Sequence, residues 1–97
     1  MWAAKNTLAW TDNSDNEDSF LVESKAEDCA ASTLIFAQIA SVSVNAVTYV
    51  DTAVTEGLTY CYRVRASNSV GQSSYSNMAG RTIPVTVPLP PSNPLLP

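Results

Sequence analysis

The sequence predicts an all-β sandwich, and three features of the chain support this prediction. Between residues 6 and 82 the apolar residues occur in short bursts, several of them alternating with polar residues, as in strands with one solvated face. The bursts are rich in Val, Tyr, Thr and Phe, which strands favour, and polar clusters separate them. All six prolines stand at or after position 84, outside these bursts. At 97 residues the chain has the length of one domain.

Six segments are predicted to be strands. Residues 60–66 are the clearest, because every second residue is apolar and Arg63 and Arg65 share the other face. A helix over residues 30–44 competes with a strand there, but Val42 and Val44 alternate with serines and favour the strand. In chain order the predicted strands are 7–11, 20–24, 34–40, 47–52, 60–66 and 74–82.

Composition and charge exclude several functions. The net charge is -4 with only five Lys and Arg, so nucleic acid is not an expected partner. No apolar run approaches the roughly 20 residues of a membrane span. The N-terminus lacks the apolar region of a signal peptide, so we expect a soluble chain whose export signal has been removed or lies elsewhere. The absence of histidine removes the commonest general base, and we expect no enzymatic activity, catalytic residue or cofactor.

The order of several short motifs resembles a fibronectin type III domain of the bacterial type, over residues 6–82. The combination is specific although each motif alone is not. The matching segments are LAWTDNS at 8–14, FLVE at 20–23, YVDT at 49–52, GLTYCYRVRASN at 57–68 and GQSSYSN at 71–77. The resemblance implies a fibronectin type III or immunoglobulin-like Greek-key sandwich of two antiparallel sheets.

The resemblance also assigns core residues. Trp10 would fill the centre of the sandwich, where an aromatic ring buries a large apolar area. Tyr60 matches the tyrosine corner, whose hydroxyl bonds to backbone a few residues upstream. By alternation Tyr62 and Val64 share the inward face with Tyr60. Trp10, Tyr60 and Val64 are therefore expected to form the core.

The same resemblance brings the two cysteines together. Cys29 would follow one strand and Cys61 would begin its antiparallel neighbour, at the same end of the sheet. A disulfide there would close a loop of about 33 residues and contribute roughly 3 to 4 kcal/mol. It would indicate an oxidising compartment, so the expected location is extracellular or on the cell surface. The alternative is two unpaired thiols.

Two acidic arrangements have alternative interpretations. Residues 12–18 carry several oxygen donors that could suit Ca²⁺, but the segment lacks the glycine and final glutamate of an EF-hand loop. A solvated turn is favoured, and no metal site is expected. Glu17, Asp18 and Glu23 could supply a pair of carboxylates for glycoside hydrolysis, but no cleft is evident to hold them.

Three aromatic residues could form a binding surface for a sugar or a partner protein. They are Trp2, Tyr62 and Tyr75. Aromatic residues on strands are more often part of the core. A carbohydrate-associated accessory module or spacer, from a tandem array in a secreted protein, is therefore the alternative function.

The ends of the chain differ from the pattern of the resemblance. Only nine residues precede Trp10, too few for the expected first strand, and residues 91–95 resemble the stretch that usually introduces it. We therefore divide the chain into a body at 1–82, with its first strand missing or incomplete, and a proline-rich tail at 83–97.

The tail has three interpretations. It is a linker to a next module, or it folds back on its own body, or it enters the empty strand position of another copy. The third would build a head-to-tail filament by donor-strand complementation, and fifteen residues can reach up to about 50 Å. The predicted partners are thus other copies of the chain or adjacent modules. The predicted contact residues are Val85, Val87, Leu89, Pro91 and Leu95.

Overall fold

A computed structural model describes residues 4–13, 16–31 and 33–85, which contain six strands and no helix. The strands are β1 (Asn6–Ala9), β2 (Ser19–Lys25), β3 (Ala37–Ser43), β4 (Thr48–Asp51), β5 (Thr59–Ser67) and β6 (Ala79–Thr82). The strand that was favoured over a helix within residues 30–44 is confirmed, since β3 occupies residues 37–43.

The strands form two antiparallel sheets. The four-stranded sheet has the order β3-β2-β5-β6, and the two-stranded sheet pairs β1 with β4. Glu23 lies opposite Arg63 where β2 pairs with β5, and Thr59 lies opposite Thr82 where β5 pairs with β6. The all-β sandwich predicted from alternation is confirmed.

The core lies between the sheets and centres on β2 and β5. Phe20, Val22 and Val64 form one buried cluster, and Trp10 packs beside it with its ring 5.6 Å from that of Phe20. Tyr60, Tyr62 and Ile83 form a second buried cluster. The Thr55 N–H donates to the Tyr60 hydroxyl at 2.9 Å, which is the geometry of the tyrosine corner.

Two strands begin well after their predicted first residues, and both differences have local reasons. Predicted residues 34–36 lie outside β3 because the Glu27 carboxylate accepts from the Leu34 N–H and the Thr33 hydroxyl, which holds them in a loop. The last strand begins at residue 79 rather than 74. Before it, the hydroxyls of Ser73 and Ser76 accept from β5 N–H groups at 2.9 and 3.0 Å, so side chains replace part of the backbone ladder.

Ile83, the first residue of the predicted tail, is packed against the body. Ile83 is 3% exposed, its N–H donates to Leu58, and its carbonyl accepts from Gly57. Gly57 has a φ of 83°, which favours glycine at this turn. The packed body therefore extends at least to Ile83.

Candidate assembly groove

A groove of about 590 Å³ separates β1 from β6 on one side of the sandwich. The β1 strand is an edge among the described residues, because β4 bonds only to its other side. The β6 strand is likewise the outermost strand of the four-stranded sheet. The groove is lined by residues 6–11 and 13 on one wall, 62–64 on the floor, and 76, 77 and 79–81 on the other wall.

Alternation along β1 decides which backbone groups face the groove edge. The Trp10 N–H donates to the Val47 carbonyl at 3.0 Å, so Trp10 bonds toward β4. Bonding direction alternates along an antiparallel strand, so Leu8 and Asn6 also bond toward β4. Thr7 and Ala9 therefore present their N–H and C=O groups at the open edge, while their exposed side chains face solvent.

The directions of β1 and β6 show where the chain leaves the body. The Arg81 guanidinium donates to the Asn6 side chain at 3.4 Å, while Trp10 and Ser76 line the groove at its other end. The two strands thus run in opposite directions. The chain leaves β6 at the end of the sandwich where β1 begins.

A buried polar network forms the floor at that end and joins the two sheets. The Tyr62 hydroxyl donates to the Asp51 carboxylate at 2.7 Å and accepts from the Asn6 amide at 2.9 Å. Asn6, Asp51 and Tyr62 are each buried. Burial, aided by the Asp51 carboxylate, raises the pKa of the Tyr62 hydroxyl well above its usual range.

At the other end of the groove, one donor has no acceptor. Trp10 is half-buried, and its indole N–H has no hydrogen-bond partner among the described residues. Trp10 also lines a second cavity of about 360 Å³ that reaches Phe20 and Ser73. The residue predicted as core thus borders both the core and the groove.

The predicted disulfide joins Cys29 to Cys61, with a Cα–Cα distance of 5.1 Å. Cys61 follows the alternation and lies on the outer face with Arg63 and Arg65, yet it is fully buried. The segment that carries Cys29 covers it, and a Cβ placed on Gly80 would stand 3.1 Å from the Cys29 sulfur. The disulfide lies at one end of the four-stranded sheet, and Glu17 lies at the other end.

The outer face of the four-stranded sheet carries a stack that sequence reasoning missed. The Arg63 guanidinium lies 3.6 Å from the Tyr75 ring centre and 4.1 Å from that of Phe36. Glu23, which is 6% exposed, pairs with Arg63 at 2.8 Å and accepts from the Tyr75 hydroxyl at 2.9 Å. The alternation of Arg63 and Arg65 along β5 indicated that both lie on the outer face. It did not show which residues contact them, because those residues come from distant segments of the chain.

The acidic residues do not form the arrangements considered from sequence. Glu23 is engaged with arginines, Glu17 is buried and Asp18 is exposed. No three residues of the types that bind metals cluster within the described parts of the chain. In those same parts, no helix is long and apolar enough to span a membrane.

Only one of the predicted contact residues of the tail is described. Val85 is 64% exposed and its side chain approaches Gly57 of the same chain. Val87, Leu89, Pro91 and Leu95 lie outside the described residues, as does Trp2.

Comparison with solved structures defines the class of fold as fibronectin type III. The twitchin kinase region from C. elegans matches with a TM-score of 0.68 and 19% identity, over 87% of this chain and 15% of that chain. The fibronectin type III domain of human fibronectin type III domain containing protein 3 matches with a TM-score of 0.65 and 23% identity. That match covers 86% of this chain and 76% of the human domain chain.

A third structure, described as a myokine structure, matches with a TM-score of 0.61 and 21% identity, over 86% of this chain and 85% of that chain. No family model and no curated protein matches the sequence. At these identities the similarity establishes the fold alone, and the chain has the fibronectin type III fold.

Proposed function

We propose that the chain is an extracellular structural module that assembles head to tail, with the C-terminal tail of one copy entering the groove beside β1 of the next. The observation that carries this proposal is the open edge of β1 beside a groove that a further strand would fill. No enzymatic role is proposed.

The direction of the chain favours a second copy over the chain's own body. A strand added antiparallel to β1 must enter near Trp10 and run toward Asn6. The tail of the same chain departs from the opposite end, beside Ile83, and would have to pass along the whole groove before turning back. A tail arriving from a copy stacked against the Trp10 end already has the required direction.

The length of the tail is sufficient for this contact. Twelve residues follow Val85, and an extended segment of that length reaches about 40 Å. The four-residue strand β1 spans only about 13 Å. Enough chain is left over to cross a junction between two bodies, and such a contact repeats without closing.

The extracellular location rests on the disulfide. Cys29 and Cys61 are bonded and no free cysteine is present among the described residues. Disulfides persist in oxidising compartments and are rare in the cytosol of most organisms. The alternative function, an accessory or spacer module, draws on the 15% coverage of the multidomain twitchin chain. Its aromatic surface is less favoured because Tyr62 and Tyr75 are engaged within the module.

The experiment measures mass by light scattering over a concentration series. We expect the full chain to form an increasing series of oligomers, and a chain lacking residues 86–97 to stay monomeric with an unchanged circular dichroism spectrum. A full-length control with Val87→Asp and Leu89→Asp should also stay monomeric. A monomeric full chain at all concentrations, or oligomers that survive removal of the tail, would contradict the proposal.

A further inference from the structure

The tail sequence carries two repeats that restrict how it can bond to β1. From 85 to 89 the apolar residues stand at every second position, as Val85, Val87 and Leu89. From 88 to 97 a proline stands at every third position, at 88, 91, 94 and 97. Three residues per turn is the period of the polyproline II helix, which exposes its carbonyls because it has no internal hydrogen bonds.

Even a fully extended tail would offer the groove few donors. Bonded partners in an antiparallel pair have their side chains on the same face of the sheet. The groups at the open edge belong to Thr7 and Ala9, whose side chains face solvent. If Val87 and Leu89 face the groove floor, the tail residues that bond to this edge are even-numbered, and three of residues 84, 86, 88 and 90 are prolines without an N–H.

The groove supplies the complementary groups. The indole N–H of Trp10 is buried and has no acceptor among the described residues, and alternation leaves the N–H groups of Thr7 and Ala9 at the edge of β1 that borders the groove. All three are donors beside a half-buried aromatic ring. Grooves that bind polyproline II segments combine aromatic walls with groups that bond to the exposed carbonyls.

We propose that the groove recognises the proline-rich segment 84–97 of a second copy as a set of hydrogen-bond acceptors in polyproline II conformation, and not as a complete β-strand. This inference rests on the proposed function, because it specifies the chemistry of the same contact. Trp10 donates to a tail carbonyl at one end of the groove, and the apolar tail residues cover the floor beside Tyr62 and Val64.

The experiment uses a peptide of residues 84–97 and the full chain carrying Val87→Asp and Leu89→Asp, which cannot donate its own tail. We expect a peptide with Pro88→Ala and Pro90→Ala to bind about fivefold more weakly, since it loses the preformed conformation. A Ser92→Ala peptide is the matched control and should bind unchanged. If the tail bonded as a complete β-strand, the peptide with the two alanines would bind more tightly, because each alanine restores an N–H donor.

The indole N–H gives a second readout. In ¹H–¹⁵N spectra, with Trp2→Phe used for assignment, we expect the Trp10 indole proton to move downfield when the peptide binds. Trp10→Phe in the acceptor chain should weaken binding about tenfold, which is the effect expected when one hydrogen bond is lost. Tyr49→Phe, which packs against the same core cluster outside the groove, should not weaken it.

The outcomes separate the two proposals. Tighter binding of the alanine peptide, or an indole resonance that does not move although the peptide binds, overturns the acceptor mode and leaves the assembly in place. Absence of any peptide binding, together with a monomeric full chain, overturns the assembly itself. If Trp10→Phe fails to fold, the indole resonance of the unsubstituted acceptor decides.

Discussion

The two sheets of this sandwich differ in how completely their bonding groups are used. In the four-stranded sheet, a disulfide closes one end of the β2–β5 pair, and Glu23 forms ion pairs with two arginines on its outer face. The two-stranded sheet has four residue pairs, and its β1 edge, which borders the groove, has no strand partner among the described residues. The larger sheet thus holds the disulfide and the ion pairs, whereas the smaller one borders the groove that the proposed partner would fill.

The sheets are joined by apolar packing and by one polar contact. Tyr62 belongs to the four-stranded sheet, whereas Asn6 and Asp51 lie at paired positions of the two-stranded sheet. The contact sits beneath the groove, where it places the start of β1. Three sets of substitutions test this difference between the sheets. The first removes the disulfide of the four-stranded sheet, the second changes the outer face of that sheet, and the third changes the polar contact between the two sheets.

Removing the disulfide should have the largest effect. Replacing both Cys29 and Cys61 with alanine should lower the free energy of unfolding by about 3 to 4 kcal/mol, because the unfolded chain gains conformational entropy. Urea unfolding followed by tryptophan fluorescence measures the change. The reduced parent protein should resemble the double variant, and equal stability of the oxidised parent and the variant would show that the clamp is not what stabilises the large sheet.

Removing the charge of Glu23 should have an intermediate effect. Glu23→Gln should lower the free energy of unfolding by about 2 kcal/mol, since it leaves Arg63 and Arg65 beside a buried neutral group. A double-mutant cycle with Arg63→Gln isolates the pair, and a positive coupling is expected. Additive losses would mean that the stack on the outer face does not act as a unit.

Removing the Tyr62 hydroxyl should have the smallest effect at neutral pH, a loss of about 1.5 kcal/mol in Tyr62→Phe, because the hydroxyl donates to a charged carboxylate. Its pKa is raised in the folded protein, so the folded state holds this proton more tightly than the unfolded state does. The contribution is fully present below the ordinary tyrosine pKa of about 10 and is lost as the pH rises above it.

The dependence of the free energy of unfolding on pH above about 10 tests this direction of change. The free energy of unfolding of the parent protein should fall above about pH 10, and that fall should be shallower in Tyr62→Phe. Tyr49→Phe is the matched control, because Tyr49 lies on β4 outside the contact between Asn6, Tyr62 and Asp51. Parallel alkaline limbs in parent and Tyr62→Phe would show that the contact between sheets does not depend on the hydroxyl proton.

Local patterns were sufficient to predict much of the fold. The alternation in 60–66 predicted which face of β5 is buried, and Tyr60, Tyr62 and Val64 do face the core. The motifs placed Cys29 and Cys61 at neighbouring strand ends, where the structure bonds them. The strand bounds near 34–36 and 74–78 were wrong because side chains of Glu27, Ser73 and Ser76 take the place of backbone partners there.

The sequence by itself determined the strand periodicity and the core face of β5. Those properties depend on neighbours along the chain, where alternation and spacing are visible. Only the tertiary structure decided that Tyr62 joins Asn6 to Asp51 and that, among the described residues, one edge of β1 has no strand partner and the Trp10 indole N–H has no acceptor. These features depend on contacts between residues that are distant in sequence. The spacing of residues along one strand does not show which atoms of another strand form hydrogen bonds with it.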